Sequence, residues 1–488
     1  MIPGVDYIRI LPEIVLSVFG MAIMVIDPLL PEYNSRKPLG VLAAIGSACA
    51  LLAVFYQSAF PGMAFFNMVR VDGFSVFFHA VVVLVALVAT LSSFEYLEMQ
   101  KIRLGEYYGL ILLGAVGMCL MSSAVELVLI FISLEISSIA TYILAGFRRR
   151  AASSAEASLK YFLLGSFATA FFLYGVALMF GATGSTNVDD IALALRNGAP
   201  PLAYLAMALM FVGLGFKVAA APFQVWTPDV YEGAPAPVVG LMSTAPKAAA
   251  FAVLLRVLYG TAGGNGFWNA SQPGWFWMIW VSAALSMTLG NLGALVQSNV
   301  KRLLAYSSIA HAGYLMVAFA AIRDTSAGIS AAMFYTAAYA AMNVGAFAVV
   351  SHFAGAGEKY VTMDDYAGLG RRAPALAAAL SIFLLSLIGI PITGGFLAKF
   401  YVFTAALQSS LVGLTIIGVL NSAVGAYYYL RLIVIMYMRE PRDEAPIPPI
   451  PFATGLAMVL SLVATIYLGV LPGRVLNFTL ASARELVR

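Results

Sequence analysis

Apolar runs of about twenty residues, separated by short polar or Pro/Gly-rich breaks, recur from one end of the chain to the other. A helix of that length crosses about 30 Å of hydrocarbon and closes its own backbone hydrogen bonds, which lipid cannot satisfy. The breaks divide the pattern into about fourteen spans, beginning near residues 8, 38, 74, 107, 124, 156, 202, 237, 275, 302, 328, 374, 411 and 451. The expected fold is therefore an all-α membrane protein, a single polytopic domain over residues 1–488. The longest polar stretches, near 181–201, 354–373 and 438–450, are loops, and no soluble domain fits between the spans. Only Met1 to Tyr7 precede the first run, with no basic flank or small-residue cleavage site, so it reads as a retained helix.

Two spans depart from a uniform helix. Pro222 interrupts "GLGFKVAAAPFQVWTPDVYEGAPAPV", and in "SLIGIPITGGFLAKFYVF" Pro391 is followed closely by Gly394 and Gly395. Proline frees a backbone carbonyl, which membrane depth tolerates only where protein or internal water receives it. Broken helices in corresponding parts of two halves point to a transporter built on inverted repeats. No residue-by-residue repeat is visible, so this symmetry is inferred from the breaks alone.

Composition sharpens the picture: 62% of residues are hydrophobic and 10% charged, against about 25% charged in ordinary globular domains. The formal net charge of +4 comes from basic residues gathered in alternate loops, among them Arg36, Lys37, Lys101, Arg103, Arg148, Arg149, Arg150, Lys301, Arg302, Arg371, Arg372, Arg439 and Arg442. The opposite internal loops offer Arg70, Arg196 and Arg323. This asymmetry assigns the first set to the cytoplasm and both chain ends to the other side; it is a topology signal, and no nucleic-acid partner is expected. The tail over 472–488, with Arg474, Arg484 and Arg488, fits a short interfacial helix. Cys49 and Cys119, far apart in apolar runs, read as packing residues. Two cysteines and three histidines make no iron–sulfur or zinc site, and no glycine-rich phosphate loop suggests a nucleotide. No metal or cofactor is expected in this chain, and any redox chemistry falls to a partner.

Charges inside the spans carry the most information, since each costs at least about 2.5–3.5 kcal/mol at the helix centre. Four stand out: Glu135 in "LIFISLEISSIATYIL", Lys217 in "FKVAAAP", Lys247 in "STAPKAAAF" and Lys399 in "FLAKFYVF". One structural ion pair would account for Glu135 and one lysine but not for three lysines against one acid. A surplus of buried lysines suits proton relay, because desolvation lowers proton affinity and a nearby carboxylate restores it. His311 in "YSSIAHAGYLMVAF" is either a relay imidazole or a packed histidine bonded to a hydroxyl. Lys301 and Arg302 just before it are expected at the cytoplasmic surface, Glu126 at a solvated or interfacial position, and His79 and His352 in structural or interfacial roles. Asp229 and Glu232, behind the first break, either line an aqueous access or cap a turn. Arg256 and Arg431, near span ends, are open between snorkelling and relay.

The segments "FKVAAAPFQVWTPDVYEGAPAPV", "STAPKAAAF", "NVKRLLAYSSIAHAGYLMVAFA" and "GIPITGGFLAKFYVF" closely resemble the antiporter-like membrane subunits of respiratory complex I. The resemblance covers nearly the whole chain. It implies two inverted five-helix repeats, near 107–260 and 275–437, each holding a broken helix. It places Glu135 at the family's central acid, Lys217 and Lys247 at its middle lysines, Lys399 at its terminal lysine and His311 at its histidine. "WTPDVYEGAPAPV" and a lysine at 399 look most like the subunit N branch, similar to mitochondrial NADH dehydrogenase subunit 2 but with all fourteen helices. No long lateral helix follows the last span, as subunit L would require, and subunit M would carry glutamate at 399. The resemblance further implies proton translocation in a bacterial inner (plasma) membrane, with both termini periplasmic. NADH, FMN, iron–sulfur clusters and quinone would belong to partner subunits, and the neighbours would be other antiporter-like and membrane subunits of the complex and membrane lipids. Multisubunit cation/proton antiporters and membrane-bound hydrogenases share these motifs and stand as the alternative. A scaffold whose buried charges only fix packing is a second rival.

Overall fold

A computed structural model describes residues 3–31, 35–196, 198–259, 273–323, 326–441 and 447–487. Arg442 and Arg488 lie outside the described residues, as does the side chain of Arg323. Thirteen described helices are long and apolar enough to cross a membrane, and the shorter apolar helix Pro374–Ile388 makes the fourteenth span. They begin at Leu11, Lys37, Gly73, Glu106, Leu127, Ala152, Pro201, Ala236, Pro273, Val300, Ala327, Pro374, Val412 and Phe452, each within four residues of the expected position. One element was not expected: a short antiparallel hairpin pairs β1, Gly62–Ala64, with β2, Val69–Val71. Its turn at Phe65, Phe66 and Asn67 has positive φ, which the hydrophobic pattern does not register.

The bundle has buried central helices and lipid-facing outer ones. The 18-residue apolar window of Ala236–Tyr259 is 100% buried, whereas those of Val412–Met438 and Phe452–Val470 are 33% buried. With no hydrophobic drive between helices in lipid, close approach depends on small residues. Helices Pro273–Leu295 and Val300–Ala320 meet in this way: a side chain on Gly290 would strike the Ala310 backbone at 2.5 Å, and one on Gly313 the Met287 backbone at 2.6 Å.

Polar contacts sort the loops into two ends. At one, Lys37 pairs with Glu95, Arg148 and Lys301 with Glu358, and Arg302 with Asp229 and Glu232. At the other, Arg9 bonds the Phe60 and Met63 carbonyls, Arg70 pairs with Asp189, and the Gly73 amide bonds Glu485 of the terminal helix Gly473–Val487. Both ends of the described chain thus share one face, opposite the basic loops.

Candidate functional site

Each predicted break is real, and each places a lysine at the end of a half-helix. Pro201–Val218 stops at Ala219, whose φ of 59° is left-handed, and Lys217 lies in its last turn. The interrupted backbone is received by the Pro273–Leu295 helix: Ser286 Oγ accepts from the Ala221 amide at 2.8 Å, and Ser282 Oγ donates to the Ala221 carbonyl at 2.6 Å. In the second break, Pro374–Ile388 ends at Gly389 with φ of 93°, and Gly394–Gln408 resumes the span. Ser386 Oγ accepts from the Gly395 amide at 3.1 Å, and Lys399 Nζ donates to the Ile388 carbonyl at 2.9 Å. Both ammonium groups therefore sit at the negative, carbonyl end of a half-helix dipole, where a cation is favoured. Lys399 is buried and does not snorkel.

Around Lys217 the surroundings are aromatic and under-bonded. Its Nζ donates to Tyr161 Oη at 3.4 Å and lies 5.2 and 5.3 Å from the ring centres of Tyr142 and Tyr161, within cation–π range. Glu135, on the same helix as Tyr142, is half-buried and forms no ion pair among the described residues; its Oε1 has no hydrogen-bond partner. The Tyr142 and Tyr231 hydroxyls and Ser137 Oγ are also buried without protein partners. Buried polar atoms left open in this way are ordinarily satisfied by water. Tyr161 stacks on Trp226 at 4.5 Å, and Trp226 meets Tyr231 at 6.0 Å, which carries the line toward the next lysine.

From Lys247 onward the groups connect. Its Nζ donates to Ser308 Oγ at 2.6 Å, and Tyr339 Oη donates to the same oxygen at 2.7 Å. The Tyr339 ring lies 5.1 Å from His311, whose Nδ1 bonds Tyr335 Oη at 2.7 Å and whose Nε2 bonds Tyr429 Oη at 3.4 Å. Tyr314 stands 5.6 Å beyond His311, and Lys399 Nζ lies 4.7 Å above its ring. A cavity of about 10 Å³ among Lys247, Ser308, His311 and Tyr339 has room for about one water. The structure thus brings Lys247, His311 and Lys399 into one row; a series of rings leads from Lys217 as far as Tyr231, and among the described residues Glu135 makes no hydrogen bond or ion pair to the row. Tyr335 and Tyr339, four residues apart, share one helical face, a spacing that could have signalled them in the sequence.

Several expectations require correction. Lys301 is not at the surface: it is fully buried, donating to the Ala234 carbonyl at 2.6 Å and to Glu358 at 2.8 Å. Glu358, in a polar loop with no sequence signal, also takes Arg148 at 2.5 Å, Tyr96 Oη at 2.8 Å and the Ala236 amide at 2.8 Å. Burial alone would raise its carboxyl pKa, but Lys301 and Arg148 hold it below the ordinary carboxylate range. Glu126 is buried and caps Leu127–Ala145, accepting from the Leu129 amide at 2.6 Å. Arg256 neither snorkels nor joins the row: it is fully buried, bidentate on Asp72 at 3.0 Å, with Nε on the Ser122 carbonyl at 3.1 Å. Asp229 does more than cap a turn: partly exposed, it bridges Lys160 at 2.8 Å and Arg302 at 2.7 Å. His79 is buried between Gln57 and the Cys119 carbonyl, and His352 bonds the Pro448 carbonyl at 3.1 Å.

Comparison with known proteins agrees with this architecture. A family model described as NADH:quinone oxidoreductase/Mrp antiporter, transmembrane, matches residues 124–425. NADH-quinone oxidoreductase subunit N 2 of Koribacter versatilis (strain Ellin345) is 68% identical, with 100% of this chain and 99% of that protein covered. Subunit N 1 of Solibacter usitatus (strain Ellin6076) is 49% identical over 99% and 98%. A chain of respiratory complex I from Thermus thermophilus superposes with a TM-score of 0.81 at 38% identity, over 96% of this chain and 98% of that one. Fold and buried charges together define a multi-pass, antiporter-like membrane protein. More narrowly, the chain belongs to the NADH-quinone oxidoreductase subunit N family.

Proposed function

We propose that this chain moves protons within NADH:quinone oxidoreductase along a row running from Glu135 and Lys217 through Lys247 and His311 to Lys399. The observation that carries this reading is the unbroken series of polar and aromatic contacts from Lys247 through Ser308, Tyr339 and His311 to Lys399. A buried lysine can hold or give up a proton as its surroundings change, and His311 can pass one through either ring nitrogen. The unpartnered polar atoms around Glu135 and Lys217 support a hydrated section on that side. Water and hydroxyls would supply the hops there; beyond Lys247 the Ser308 and Tyr339 hydroxyls and water in the small cavity they share with His311 would do so, and water would also have to bridge the ring contacts from His311 to Lys399.

The element order supports two five-helix units, about 107–260 and 275–437. In each, the broken helix comes fourth, bearing Lys217 in the first and Lys399 in the second; the second helix bears Glu135 in the first and His311 in the second. NADH, FMN, iron–sulfur and quinone chemistry belongs to partner subunits in this reading, because two free cysteines fall short of the about four thiolates a cluster needs. Coupling then reaches this chain through neighbouring membrane subunits, which include other antiporter-like chains. The excess of basic residues in one set of loops supports an orientation with that end of the bundle in the cytoplasm of a bacterial cell and both termini in the periplasm.

Lys217→Ala, measured in complexes shown to be fully assembled, tests the row. Quinone reductase activity and proton pumping should fall together by at least about tenfold, about 1.4 kcal/mol in the limiting barrier. Wild-type pumping from assembled Lys217→Ala complexes would remove that lysine from the path.

A further inference from the structure

At the basic end of the bundle an open cavity of about 870 Å³ is bounded by the loops after Gly73–Met99 and after Leu127–Ala145. Six cations line it: Arg36, Lys101, Arg103, Arg148, Arg149 and Arg150. Against them stand Asp27 and Glu106, so the lining carries six minus two, or +4, as much as the whole chain. Three of the cations are committed elsewhere: Arg36 to Asp27 at 2.6 Å, Arg148 to Glu358 at 2.5 Å, and Arg149 more loosely to Glu106 at 3.6 Å. Lys101, Arg103 and Arg150 have no ion pair among the described residues, yet all three face the same space. All three are solvent-exposed, so an anion entering this space meets three unpaired cations at once. Apart from Gln100, the remaining lining is mostly apolar, with Leu30, Ile102, Leu104 and Phe147 beside the charges, in a protein whose outer helices face lipid.

A basic pocket edged by apolar residues at the end of transmembrane helices matches an anionic lipid: phosphate among guanidinium groups, acyl chains along the hydrocarbon. We propose that this cavity holds the phosphate headgroup of an anionic membrane phospholipid, bound by Lys101, Arg103 and Arg150. Its occupancy bears on Arg148, which lines the same cavity and reaches out of it to Glu358.

The test uses intact complexes, wild-type or carrying Arg103→Gln together with Arg150→Gln, stripped of lipid in detergent and returned to phosphatidylglycerol or phosphatidylcholine. Lipid retained on the subunit is read by native mass spectrometry. Wild type should keep phosphatidylglycerol in preference to phosphatidylcholine, and the double variant should hold it about 25-fold more weakly, about fivefold for each lost charge. Arg103→Lys with Arg150→Lys should retain most of the preference. If the double variant fails to assemble, Arg150→Gln alone should show the fivefold loss. Equal retention by variant and wild type, or no preference over phosphatidylcholine, overturns the proposal. So does occupation by inorganic phosphate alone with no gain from acyl chains, or a partner polypeptide cross-linked into the cavity.

Discussion

Single buried side chains divide into those whose charge has no counter-charge in contact and those that are held by one. Among the described residues Lys217 has a tyrosine hydroxyl and two ring faces as partners and no ion pair. Glu135 stands on the same helix that supplies Tyr142, without direct ion pairing. The two are expected to be energetically coupled through this shared environment. In assembled complexes Glu135→Gln should slow turnover, and adding Lys217→Met should then cost much less than it does alone. A double-mutant cycle read as pumping-linked turnover measures the interaction, and strictly additive effects on the logarithm of the rate would refute it. Glu358 is the opposite case, fixed by two cations, a tyrosine hydroxyl and a backbone amide. Glu358→Gln leaves the fully buried Lys301 and the half-buried Arg148 with no counter-charge, a loss of about 3–5 kcal/mol in stability. Because the folded-state pKa is depressed, the native contribution is complete above the ordinary glutamate value of about 4.3 and fades as pH falls through the lower folded value. The gap in thermal stability between variant and wild-type complexes should therefore be widest at neutral pH and narrow in acid. A gap independent of pH would show that the carboxylate charge is not what stabilises the loop.

At the scale of elements, the two broken helices were legible because proline within an apolar run has a definite consequence: a missing donor and a freed carbonyl. What received those groups was not legible. Ser282 and Ser286 lie about sixty residues from Ala221 in sequence, and an isolated serine in an apolar span gives no signal of its partner. The spacing of Tyr335 and Tyr339 marks a shared helical face, but the partners of the linking tyrosines were hidden for the same reason, since their contacts arise only when helices distant in sequence pack together. Lys301 was misplaced because a basic pair at the start of a span resembles a surface anchor, and only the fold brings Glu358 to it. The second break rests on Gly395, where a side chain would lie 1.8 Å from the Ser386 carbonyl oxygen; Gly413, at the start of the next helix, has nothing within 4 Å. Gly395→Ala must push the half-helices apart and carry Lys399 away from the Ile388 carbonyl. Coupled activity should fall by about tenfold or more in assembled Gly395→Ala complexes, while Gly413→Ala stays near wild type. Equal activity in both would mean that the geometry of this break does not set the position of the lysine in a way that matters.

Across the whole molecule, the loop contacts and the loop charges agree on a two-ended bundle, and that agreement supports the number of spans independently of charge counting. The sequence supplied alternation: fourteen spans and basic residues in every second loop. Contacts supply an independent sorting, since the pairs Lys37–Glu95, Arg148–Glu358 and Arg302–Asp229 all join loops from the basic set, whereas Arg70–Asp189 and the Gly73–Glu485 bond join loops from the other. A missed or extra span would have mixed the two sets. Insertion favours short basic loops in the cytoplasm, so the end holding Arg149 is expected to face it. Arg149 is exposed beside the loop it shares with Arg148 and Arg150, which makes that loop reachable from water without disturbing the buried pair at Glu358. A cysteine introduced at Ala151, in a chain whose Cys49 and Cys119 have been replaced by serine or alanine, should react with an impermeant thiol reagent in inside-out vesicles and stay unlabelled in right-side-out vesicles. A cysteine at Ser185, at the other end of the following helix, should show the reverse pattern. Labelling of both positions from one side would mean that the Ala152–Thr183 helix does not cross the membrane, and an exchange of the two patterns would invert the bundle, placing the lipid cavity and the Glu358 cluster on the periplasmic face.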